Sequence, residues 1–200
     1  MQPETPEVEI KRKEILRYFA ILVIVFVFSS FIGFFQSQQS PESAEKFVGE
    51  LFKKFGFIDF SNPLQVIGII FINNTVLAFI SLLAGIFFGI FPLLFVASNG
   101  HTIGVMVFVK GDEIGIAKIV ALLLPHGILE IPAIILASSY GMWLGRLFFN
   151  YVWYNKKVDF NTAIKLCIKR FIRVVMPVLL ISAVIETFIS PLVPILLFPS

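Results

Sequence analysis

Four apolar tracts dominate this chain: Leu16 to Phe35, Val66 to Ala97, Ile114 to Phe149 with polar interruptions, and Val174 to Phe198. The tracts are long enough for membrane-spanning helices, each of which needs about 20 residues to cross a hydrocarbon layer about 30 Å thick. No water reaches that layer, so the backbone must satisfy its own hydrogen bonds there, and irregular backbone survives only when protein covers it or a watery cavity adjoins it. The fold class that follows is an all-α, polytopic transmembrane bundle. Composition agrees: 58% of the residues are hydrophobic and 14% charged, and the mean hydropathy is +0.92, far from the balance of a soluble domain.

The first tract follows the charged run Glu9-Ile10-Lys11-Arg12-Lys13-Glu14 and is too long for a typical signal core. Ser-Phe-Ile-Gly-Phe-Phe offers no A-x-A cleavage site, so an uncleaved first span is expected. Charge then orients the chain. Arg146, Lys156, Lys157, Lys165, Lys169, Arg170 and Arg173 face Asp159 alone in one connecting segment, and Lys11, Arg12, Lys13 and Arg17 flank the first span. The segment from 36 to 65 is nearly balanced, so the positive-inside rule makes the N-terminus and the 146–173 segment cytoplasmic, and 36–65 external. That placement accounts for the basic charge without nucleic acid.

An even number of crossings must separate the N-terminus from Arg146. Spans at about 16–35, 66–98, 102–125 and 127–148 satisfy this, and a fifth at about 172–193 leaves the C-terminus outside, all in a single domain, residues 1–200. Lys110-Gly111-Asp112-Glu113 interrupts the third span, so a broken or re-entrant helix is expected near Pro125. The second tract exceeds one bilayer thickness and should tilt, protrude or bend near Pro92, and Asn99-Gly100-His101 suits a helix end. Two amphipathic helices should lie at the interfaces. One begins at Ser40-Pro41 and repeats Ala44, Phe47, Val48, Leu51, Phe52 and Phe55 before Gly56; the other sets Phe160, Ala163, Ile164, Cys167, Ile168 and Phe171 opposite Lys165, Lys169 and Arg173.

Ionisable groups inside a membrane are expensive, costing about 2.5 to 3.5 kcal/mol on insertion scales, and demand a partner or a task. His126 and Glu130, in the string Pro-His-Gly-Ile-Leu-Glu, are four apart and share a helix face, while Glu186 sits in the last span beside Thr187 and near Ser182. With Asn73 and Asn74 these form a candidate intramembrane polar site: Asn73, Asn74, His126, Glu130 and Glu186. Convergence would suit a proton relay, a cation site or a hydrolytic metal. The structural alternative is a His126–Glu130 clamp, with Glu186 protonated or bonded to the asparagines. H-x-x-x-E falls short of the two-histidine H-E-x-x-H pattern, and no nucleophile lies beside a base. No catalytic residue, cofactor or defined metal ligand is assigned. Cys167 is the single cysteine, which rules out an intrachain disulfide. Gly85 and Gly89, like Gly141 and Gly145, are spaced for close helix packing.

These residues resemble the stage II sporulation protein M family of integral membrane proteins. The matching pieces are Asn73-Asn74, Gly85 and Gly89, Asn99-Gly100 with Gly104, then Pro125-His126-Gly127 with Glu130, Ala133, Ala137 and Gly141. The resemblance implies about five spans and a non-enzymatic membrane scaffold or anchor. The namesake acts in engulfment during endospore formation, with partners that degrade peptidoglycan. The expected partners are the lipid bilayer, a second copy packed through the glycine faces, and proteins held at the membrane, with no nucleic acid. A small ion or solute channel is the alternative, and an intramembrane metal-dependent hydrolase the least favoured reading.

Overall fold

The computed structural model describes residues 9–54, 62–189 and 192–193, with only the backbone of Lys54, Pro125 and His126. In chain order the helices are α1 (Arg12–Gln39), α2 (Pro41–Lys54), α3 (Pro63–Ala84), α4 (Ile90–Ile114), α5 (Ile116–Tyr154), α6 (Phe160–Arg170) and α7 (Met176–Phe188). A π-helical stretch, Phe171–Val175, joins α6 to α7 without a break. Five helical stretches are long and apolar enough to span a membrane: Arg12–Gln39, Pro63–Ala84, Ile90–Ile114, Gly127–Tyr154 and Phe160–Phe188. The all-helical membrane bundle stands, with its boundaries redrawn.

The long second tract is two helices. α3 ends at Ala84, and a tight apolar turn with Phe88 at φ 58 and Gly89 at φ 73 reverses the chain into α4. Glycine enters that left-handed region at no steric cost, which makes Gly89, rather than Pro92, the corner. Pro92 lies in the first turn of α4, where a missing N–H matters least. Asn99-Gly100-His101, expected at a helix end, falls in mid-α4.

The third crossing is therefore Ile90–Ile114 rather than 102–125, and the break expected near Pro125 is at Gly115, whose φ is 93. α5 runs unbroken through Pro125 from Ile116 to Tyr154. A proline removes one donor and crowds one carbonyl, a local defect that a packed membrane helix can absorb. At 1.5 Å per residue α5 is about 58 Å long, nearly twice the hydrocarbon thickness.

Of the two interfacial helices, α2 is separate. It turns Ala44 and Val48 onto Val105 and Val109 of α4, while Phe55 and Gly56 lie outside the described residues. α6 instead continues through Phe171–Val175 into α7, so the amphipathic helix and the last apolar segment form one helical stretch, Phe160–Phe188. Asp159 caps it, accepting from the Thr162 N–H at 3.1 Å and the Thr162 hydroxyl at 2.6 Å, and these donors lower its pKa below the ordinary aspartate value.

Parallel helix pairs build the bundle. Leu22 clusters with Val96, a Cβ on Gly100 or Gly104 would strike the carbonyls of Phe26 and Ser30, and Phe34 meets Phe108 edge to face at 5.8 Å. Both helices advance four residues per contact, so α1 and α4 run side by side in one direction. α3 and α5 also run in one direction: the Ser81 and Ser138 hydroxyls are 2.9 Å apart, then Gly85, just past the end of α3, meets Gly141, and Gly89 in the following turn meets Gly145.

Candidate functional site

Small residues decide how closely these helices approach, and hence where polar groups meet. A Cβ on Gly85 would overlap Gly141 backbone; one on Gly145 would overlap the Gly89 nitrogen and the Gly85 carbonyl, at 2.6 Å for the latter. The glycine faces assigned to a homodimer are thus consumed inside one chain. Trp143 and Leu144 beside them are 1% and 0% exposed, so this interface is the floor of the main core.

The candidate polar residues Asn73, Asn74, His126, Glu130 and Glu186 lie on three helices, α3, α5 and α7. Asn73 is exposed, and its amide donates to the Asn74 side chain at 3.0 Å. Glu130, on α5, is 3% exposed. Glu186, near the end of α7, lines a cavity of about 480 Å³ whose polar wall is Ser98, Asn99 and Thr102 of α4 and whose remaining wall is apolar, including Leu77 and Ile131. Of the described side chains among the five, only Glu186 lines this cavity. The His126 side chain, and with it the His126–Glu130 clamp, lies outside the described residues. Asn99 donates to the Phe95 carbonyl at 2.8 Å and Thr187 to that of Ala183 at 2.8 Å, bonds that tie each side chain to its own helix. The hydroxyl oxygens of Thr75 and Ser182 are buried and without a hydrogen-bond partner among the described residues. Also among the described residues, no three His, Cys, Asp or Glu side chains group for a metal.

A charged junction outside the family motif sits at one end of the bundle. Glu14, in the first turn of α1, accepts from Arg146 Nη1 at 2.8 Å with one oxygen and from Trp143 Nε1 at 3.1 Å with the other. This pins the start of α1 to the last turns of α5 and puts both at the same end, as an even number of crossings requires. The available signal was one acid among Lys11, Arg12, Lys13 and Arg17, which flank the same span.

A family model described as Stage II sporulation protein M matches residues 19–191. The chain belongs to the stage II sporulation protein M family. No curated protein and no solved structure matches it.

The stage II sporulation protein M match begins within α1 and ends beyond α7, so it takes in all five candidate spans. The string from Pro125 to Glu130 lies within the helical stretch of α5, ahead of Ala133, Ala137 and Gly141. Ala133 and Ala137 are buried in the main core, and Gly141 packs on the Ser81 and Leu82 carbonyls and Pro92. On the described residues, much of this α5 pattern is a packing surface.

Proposed function

We propose that this chain is a non-enzymatic membrane scaffold that holds partner proteins at the membrane, with its N-terminus cytoplasmic and its C-terminus external. The observation that carries the reading is the family match across all five spans. The geometry supports it in two ways. The glycine contacts of α5 with the end of α3 and the turn after it are internal, giving a tightly packed block suited to holding other proteins rather than to moving. On the side that charge assigns to the exterior, α2 keeps Phe52 52% exposed, followed in sequence by Lys53 and Lys54.

A photo-crosslinking residue placed at Phe52 tests the scaffold. In native membranes it should yield one discrete protein adduct, whereas the same residue at Phe28, 66% exposed on α1, should label lipid. Lipid adducts alone at both positions would count against the proposal.

The orientation rests on Lys11, Arg12 and Lys13 lying at the same end as Arg146, Lys156 and Lys157, an excess of positive charge that belongs on the cytoplasmic side. Alkaline phosphatase fused after Lys157 should be inactive and after Val193 active, since the enzyme matures only outside the cytoplasm. The reverse pattern would invert the topology.

A further inference from the structure

A second cavity, of about 360 Å³, lies at the junction of α1, α5 and the linker to α6. Lys11, Arg146, Lys156 and Lys157 line it, against Glu9 and Glu14, with Trp143 at its base. The carboxylate of Glu14 is already committed to Arg146 and Trp143, one donor on each oxygen, so its charge is compensated where it stands. Among the described residues, Lys11, Lys156 and Lys157 then face Glu9 alone, a balance that attracts an anion.

The chain is shaped to present those lysines. α5 ends on Asn155 in the left-handed region at φ 48, and the Lys156 N–H turns back onto the Asn150 carbonyl at 3.3 Å. This sharp end carries Lys156 and Lys157 over the cavity rather than onward along the helix axis. Depth is marked by Tyr151, Trp153 and Tyr154, exposed aromatics of the kind that settle at the headgroup level, and Lys156 lies 5.9 Å from the Tyr154 ring centroid. An anion arriving at that depth comes most directly from the membrane itself.

We propose that this cavity binds the phosphate headgroup of an anionic lipid. The proposal is independent of the scaffold reading, because it needs only the cavity and its charges. The full chain, purified in detergent, is offered phosphatidylglycerol or phosphatidylcholine of matching acyl chains and followed by native mass spectrometry. Phosphatidylglycerol should be retained selectively at one molecule per chain. The double substitution Lys156→Gln and Lys157→Gln should weaken that retention about 30-fold, roughly fivefold for each lysine. Lys165→Gln, on an exposed position of α6 outside the cavity, should leave it unchanged. Both lysines of the double variant are exposed, and an unaltered helical circular dichroism spectrum verifies its fold. Equal retention of both lipids, or retention untouched by the double variant, overturns the site. Uptake of radiolabelled inorganic phosphate with no phosphatidylglycerol retained overturns the lipid headgroup as the ligand.

Discussion

Gly145→Ala should destabilise this protein by about 3 kcal/mol, and Gly145→Leu should prevent the native bundle from forming. The magnitude comes from what a new Cβ would meet: the nitrogen of Gly89, the carbonyl oxygen of Gly85 and the carbonyl carbon of Phe88. All three are backbone atoms, so no side-chain rotation relieves the overlap. α5 must instead move away from the turn between α3 and α4, loosening Gly85 against Gly141 and the Ser81–Ser138 hydrogen bond along the same seam. In a membrane such a seam is held by close van der Waals contact rather than by the exclusion of water, which makes separation costly. Gly49, exposed on α2 with nothing within 4 Å of an added Cβ, supplies the opposite case. Gly49→Ala should stabilise by about 0.5 to 1 kcal/mol through helix propensity alone. Thermal unfolding in one detergent would compare the two, and a Gly145→Ala protein as stable as Gly49→Ala would refute the packing account.

That contrast also shows what one sequence discloses. Spacing marks Gly85, Gly89, Gly141 and Gly145 as points of close approach, because only glycine lets backbones touch. It does not say which helix answers, and a dimer and an intrachain contact read alike until the chain direction of α3 and α5 is known. The number of crossings was legible, since an apolar run of given length has few alternatives in a bilayer. Their edges were not. The turn from 85 to 89 is Gly-Ile-Phe-Phe-Gly, with no polar residue to betray it, and hydropathy is blind to a φ of 73 at Gly89. Lys110 to Glu113 were read as interrupting a span when they close one: Lys110 bonds Glu113 at 2.7 Å in the last turns of α4, just before Gly115. Pro125 misled in the other direction, because a proline signals a break more loudly than a packed helix needs to obey it. The candidate polar site rests on residue type and spacing, and neither can tell Asn73, exposed and bonded to its neighbour, from Glu130, buried in the bundle.

The junction at Glu14 was the least legible contact, joining residues 132 apart, and it carries the second large effect. Glu14→Leu should cost about 2 to 3 kcal/mol, and most of that loss arises at Trp143 rather than at Arg146. The Trp143 ring is 1% exposed, so its N–H loses its charged acceptor with little access to replacement water; a hydrogen bond to a charged acceptor contributes about 1.5 to 3 kcal/mol. The Arg146 side chain is 43% exposed and can rehydrate, which limits its share to at most about 1 kcal/mol. Glu14→Gln separates the two contributions, since the amide oxygen still accepts from Trp143 while the ion pair is lost. It should therefore cost about 1 kcal/mol or less. Raising the salt concentration should narrow the gap between wild type and Glu14→Gln, because only the exposed ion pair is screened, and leave most of the Glu14→Leu deficit in place. If Glu14→Gln proved as damaging as Glu14→Leu, the ion pair would be the main support of this end of the bundle and the assignment to Trp143 would fail.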